Sequence, residues 1–184
     1  TSTTRRDPDV ATTWTVEHLL KDIADLHAWI DLPQAEFGGS PDVRPVLAAE
    51  NLVGDAGIVM IDRADPLCRI AELFDFGTFS GRALTEPELT DRALEKVQAV
   101  ALPETQAIAE ALPGRLWRIV GPEYASPPYL PPRLFDEYVT RYDMPMVEAI
   151  QSQGGFARIH SHGNLRDVLP HIAVTGCTGL DPIE

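Results

Sequence analysis

The stretch FARIHSHGNLRDVLPHIAVTGCTGLDPI, residues 156–183, decides how the chain is read. Its first five residues, FARIH, are a short apolar-rich run behind two glycines, the signature of a strand. HSHGN then interrupts the run: Gly163 suits a tight turn and Asn164 a helix N-cap. NLRDVLPHIAVTG has helical spacing, and because Pro170 sits beyond the first turn, that helix must kink or start late. CTGLDPI opens another strand. Strand, helix and strand in succession form a unit whose strands pair in parallel through a right-handed crossover.

The same alternation extends upstream. Residues 133–155 are helical, with Phe135, Tyr138, Val139 and Tyr142 on one stripe and Gly154 or Gly155 as the stop. RLWRIVG (115–121) reads as a strand, followed by the proline-rich loop PEYASPPYLPP (122–132). Residues 86–112 are a long acidic helix that Pro103 kinks or divides. AGIVMID (56–62) reads as a buried strand and residues 66–77 as a helix ending near Gly77. Residues 41–54 read as a helix with Ser40 as cap and Pro41 in its first position. Residues 15–32, with apolar side chains three and four apart, read as a helix capped by Thr15 or an earlier threonine and closed by Pro33.

This alternation predicts an α/β fold, one domain over 1–184, with four parallel strands in consecutive βα units. Four strands are half of a (β/α)8 TIM barrel, which usually takes about 250 residues. The chain is therefore expected to be a piece of a larger protein.

Composition narrows the partners. The chain has 184 residues, a net charge of −13 and 44% hydrophobic residues, as in a folded globular protein. The acidic balance argues against a nucleic-acid surface, which needs clustered Lys and Arg. No apolar run is long enough to span a bilayer. Two cysteines without a CxxC spacing predict a reduced, cytoplasmic setting. No dinucleotide, phosphate-loop, nucleophile-elbow or HExxH pattern occurs.

In parallel α/β folds, chemistry collects where strands end. That rule selects Asp62 after the first strand, Glu123 and Tyr124 after the second, His160 and His162 after the third, and Asp181 and Glu184 after the fourth. Residues two apart on extended backbone point to one side, so His160 and His162 can face one metal ion. The competing reading is a histidine bonded to backbone beside an exposed one in the turn. Cys68 falls on an apolar helix face and reads as core; Cys177 starts its strand, a strand length from His160, and is not taken as a ligand.

From Gly121 onward the order of features resembles the uroporphyrinogen decarboxylase superfamily. That superfamily runs from an acidic strand end to SP-x-x-F and a long helix, then a strand ending in H-S-C-G-N, then a helix leading to G-x-D-x-x-x-P. Here Glu123, Pro132, Phe135, HSHGN and GLDPIE follow in that order over about a third of the chain. Over residues 14–81 the likeness rests on element order. The resemblance implies a (β/α)8 barrel acting on a tetrapyrrole- or corrinoid-linked substrate. The family's N-terminal arginine-rich substrate loop has no counterpart here.

Two branches fit. The decarboxylases remove acetate carboxyls from a tetrapyrrole without a cofactor. The corrinoid-linked methyltransferases hold zinc with His-x-Cys and a later Cys, and the zinc activates a thiol that accepts the methyl group. His160 matches the first zinc ligand, and His162 stands where that branch has cysteine. By the resemblance His160 is a zinc ligand, His162 takes the cysteine position, and the third ligand would lie beyond Glu184; Glu184, which follows the neighbouring strand to the same rim, could complete the zinc shell instead. With the strand-end rule this gives Glu123 and His160 as catalytic residues and Asp62, Tyr124 and Asn164 as substrate contacts. Implied partners are a tetrapyrrole or other small substrate, a corrinoid protein and a second subunit in a homodimer. A tetrapyrrole-binding or scaffold protein without catalysis is the third reading.

Overall fold

The computed structural model describes residues 1–183. Its centre is a four-stranded sheet in the order β3-β4-β5-β6: β3 (Met60–Ala64), β4 (Leu116–Val120), β5 (Phe156–His160) and β6 (Gly179–Asp181). Every pairing is parallel, with Trp117 opposite Ile61 and Ala157, and His160 opposite Val120 and Asp181. Consecutive order with helical crossovers is the arrangement of neighbouring barrel staves. β3 and β6 form the two edges.

The strands alternate rather than being covered on both faces. Ile61, Trp117, Ile119, Ala157 and Ile159 are buried, and most of them pack against Ile108, Ala109, Met146, Val147 and Ile150 of the helices. Those helices are α5 (Pro87–Ala111) and α7 (Arg141–Ser152). The intervening positions Asp62, Arg118, Arg158 and His160 therefore occupy the other face, the side that a closed barrel would enclose. The sheet has one apolar and one charged surface.

The expected stripe Phe135, Tyr138, Val139 and Tyr142 is buried. It runs through α6 (Pro132–Phe135) and a π-helical segment (Asp136–Thr140) into α7, which ends at Ser152, two residues before Gly154 with its φ of +73°. α5 runs unbroken through Pro103. The late helix start expected from Pro170 is also found: a short 3-10 turn over Leu165–Asp167 precedes α8 (Leu169–Val174).

Several boundaries differ. Residues 15–32 are not one helix: Thr13–Glu17 is a strand, β2, paired antiparallel with β1 (Thr3–Arg6). The helix α1 is Ile23–Ile30, started by Asp22, whose side chain accepts from the Asp25 N–H. The β-branched run around Trp14 outweighed the apolar spacing once a partner strand was present. α2 begins at Arg44, with Val43 rather than Ser40 at its N-cap and Pro45 in its first turn. Residues 66–77 hold one helix, α3 (Pro66–Ala71), and the start of another, α4 (Phe76–Thr85), capped by Asp75. The first sheet strand starts at Met60, which puts Asp62 in mid-strand. Among the described residues no helix is long and apolar enough to cross a membrane.

Candidate functional site

The carboxyl ends of β4, β5 and β6 meet around His160. Its Nδ1 lies 3.0 Å from Asp181 Oδ2, a consequence of their being register partners at the ends of β5 and β6. A carboxylate oxygen accepts, so Nδ1 is the donor of this pair and Nε2 is the ring nitrogen it does not use. The His162 ring meets the His160 ring edge-to-face, with centroids 4.8 Å apart and planes at 81°. His160 is partly buried and His162 exposed. A histidine oriented by a carboxylate is the usual support for a metal ligand or a proton-transfer group.

Asp181 is also approached by Arg158, with Nε 2.6 Å from Oδ1. That contact is an ion pair by distance, but its N–H direction misses hydrogen-bond geometry, and both atoms are otherwise unpartnered. The distance is what matters for charge, so Asp181 is held between a guanidinium and an imidazole. One strand over, Arg118 grips Asp62 with two hydrogen bonds of 2.7 and 2.6 Å. Arg118 and Arg158 are themselves register partners. The open face below His160 thus presents two arginines, each beside one aspartate.

The turn after β5 is fixed by close approach. Gly163 has φ +109°, and a Cβ there would stand 2.8 Å from the Pro127 carbonyl. The buried hydroxyls of Ser126 and Ser161, 3.0 Å apart, tie the same loop to the end of β5. Asn164 does not act as the side-chain cap expected of it: its backbone N–H donates to the Pro127 carbonyl, and its exposed side chain makes no capping bond. Asn164→Ala should therefore change stability by under about 0.5 kcal/mol, rather than the roughly 1 kcal/mol a working cap contributes. Urea denaturation of the two proteins checks this.

The remaining expected residues are divided. Glu123 stands at the same end as His160 and accepts a hydrogen bond from the Gly121 N–H at 3.1 Å. Tyr124 packs on Phe76 and Phe79, with centroids 5.9 and 6.0 Å away; burial first, and then nearby negative groups, push its phenol well above the ordinary tyrosine range. It is a donor throughout the physiological range. Asp62 lies in mid-strand and pairs with Arg118 instead of ending its strand. Glu184 lies outside the described residues. Among the described residues no group of three His, Cys, Asp or Glu side chains converges as a metal site. The donor set present is two imidazoles with a supporting carboxylate, part of a zinc site and not the whole of one.

Two groups near the rim were not foreseen. Asp65, the first carboxylate after β3, is fully buried and caps α3 by accepting from the Cys68 N–H. Its sequence signal was an Asp directly before Pro66, a helix-start pattern. Asp143 on α7 is fully buried as well, and neither of its oxygens has a hydrogen-bond partner. Desolvation raises both carboxyls well above the ordinary aspartate range; Asp143 raises Asp65 further, and Glu123 acts on both.

No protein-family model and no curated protein matches the chain. Among solved structures, a methyltransferase from Methanosarcina mazei shares the fold with a TM-score of 0.67 at 16% identity. The match covers 97% of this chain and 52% of that one, so the chain spans about half the length of this neighbour. At that identity the likeness is one of fold.

Proposed function

We propose that the chain supplies the His160-bearing rim of a methyl-transferring enzyme of the uroporphyrinogen decarboxylase-like type, acting on a corrinoid- or tetrapyrrole-linked substrate. The observation that carries this reading is the His160–Asp181 pair, with His162 against it, at the carboxyl end of a parallel sheet. The fold shared with a methyltransferase supports it. His160 through Nε2 and His162 would hold zinc, with Glu184 as the further donor. Zinc so held would lower the pKa of a substrate thiol, making it a better methyl acceptor. Asp181 fixes the ring of His160, and Arg158 stands against its other carboxylate oxygen. Tyr124 and Asn164 would meet the substrate from the neighbouring turns, with Glu123 as the acid–base group.

The expected result is that the full-length protein binds zinc, and that His160→Ala lowers zinc affinity by at least about 100-fold. Asp181→Asn should lower it by about 10–100-fold, as loss of a supporting carboxylate does. Neither substitution removes core packing, so the melting temperature should move little. Metal analysis and thermal unfolding of the three proteins decide the matter: unchanged zinc content in both variants ends the zinc reading.

A second reading has its own observation. Arg118 and Arg158 lie side by side on the open face below His160, a placement suited to a substrate with several carboxylates. Cofactor-free decarboxylation of uroporphyrinogen would use them to hold acetate groups and His160 to move a proton. Conversion of uroporphyrinogen to coproporphyrinogen by zinc-free protein, lost in Arg158→Ala, would favour it.

A further inference from the structure

We infer that the chain carries a second ligand site, lined by none of the rim residues, that takes a small aromatic carboxylate. It is a cavity of about 300 Å³ lined from α1, the segment after it, α3 and α5. Its apolar wall is formed by Trp29, Phe37, Leu73, Val97 and Val100. Trp29 and Phe37 meet edge-to-face with centroids 5.2 Å apart, leaving ring surface for a flat apolar body. The volume is at the small end of ligand sites and fits a bicyclic ring with one substituent.

The rim of this cavity sets the charge of its occupant. Arg69 and Lys96 both line it, and no acidic residue does. Lys96 Nζ sits 4.8 Å from the Phe37 ring centroid and 5.8 Å from that of Trp29. Its hydrogen bond goes to the Leu32 carbonyl, and it makes no ion pair among the described residues. Arg69 shares the single carboxylate of Glu104 with Arg63, at 3.1 and 2.6 Å. Two of the lining side chains are therefore cationic and none is anionic, in a chain whose net charge is −13. A local positive surplus above an apolar floor selects an amphipathic anion: the ring is desolvated by the wall while the carboxylate meets Lys96 and Arg69 at the partly wet edge. A neutral ring would gain no charge pairing with Lys96 and Arg69, and a cationic one would be repelled.

Calorimetric titration with three probes of one skeleton tests this: 1-naphthoate, 1-naphthalenemethanol and 1-naphthylmethylammonium. Naphthoate should bind at least about tenfold more tightly than the alcohol, and the ammonium should not bind measurably. Lys96→Gln, which keeps a donor for the Leu32 carbonyl, should weaken naphthoate by about tenfold and leave the alcohol unchanged. Val100→Trp, which fills the cavity, should abolish binding of both, with circular dichroism confirming that the variant is folded. Equal affinity for naphthoate and the alcohol overturns the proposal. So does naphthoate binding that survives Lys96→Gln unchanged, or no binding at millimolar probe.

Discussion

Asp143→Asn should make the protein more stable at pH 8, by about 2 kcal/mol, and change it little at pH 4. A buried carboxylate with no partner is costly, because leaving water removes hydration that nothing inside replaces. Asp143 is fully buried with both oxygens unpartnered, and the negative charge of Glu123 adds to the burden. The folded protein therefore holds this carboxyl protonated to higher pH than the unfolded chain does. A group whose folded pKa is raised contributes its full stability below the unfolded value, near 3.9, and loses it as pH climbs through the folded value. Asparagine has nearly the same shape as the protonated acid and no charge to shed, so the variant should match wild type in acid and exceed it in alkali. Urea denaturation at several pH values reads this directly. A pH dependence identical in the two proteins would show that Asp143 carries no part of it. Asp65 is pushed the same way by burial and by Asp143, but it caps α3. Asp65→Asn therefore mixes relief of charge with a weakened cap and is the less clean test.

The parts of the fold legible in the sequence are those whose pattern is set by one neighbour. Trp117 and Ile119 alternate with Arg118, and Ala157 and Ile159 alternate with Arg158, because a sheet covered on one side imposes period two. The stripe from Phe135 to Tyr142 is equally local. Residues 15–17 misread as helix because TVE joins onto a helix-like spacing, and formation of the strand Thr13–Glu17 depends on Thr3–Arg6, some ten residues away. Asp22, with the Asp25 N–H three residues on, was the stronger helix-start signal.

Legibility of the rim follows the same division. His160 and His162 stand together because two-residue spacing at a strand end requires it. The Asp181 contact depends on the register of β6 against β5, which a three-residue strand does not advertise. Asp62 was displaced because the apolar run AGIVMID begins four residues before the strand does, so the strand-end carboxylate is Asp65. Asp143 gives no local sign: it sits next to the buried Tyr142 on a helix whose apolar stripe was recognised, and only tertiary packing encloses it.

Gly121→Ala should be the most damaging small change in the chain, costing about 4 kcal/mol. Gly121 has φ +131°, outside the range that residues with a Cβ adopt readily. Space is lacking as well: an added Cβ would overlap Asp65 Oδ1 and come within 2.5 Å of the Cys68 Cβ. Asp65 cannot step aside without releasing the Cys68 N–H at the start of α3. Backbone strain of about 1–3 kcal/mol and overpacking of similar size then add at one site. Gly154→Ala separates the two contributions, because Gly154 also has a positive φ, +73°, but nothing within 4 Å of the added Cβ. It should cost only about 1 kcal/mol, the conformational share alone. The consequence at the rim is specific, since the Gly121 N–H holds the Glu123 carboxylate and the Gly121 carbonyl receives the Tyr124 N–H. The glycine between β4 and its loop therefore sets both the seat of α3 and the direction of the Glu123 side chain. Equal stability losses in Gly121→Ala and Gly154→Ala, measured by urea denaturation, would mean that the close approach to Asp65 and Cys68 does not constrain the fold.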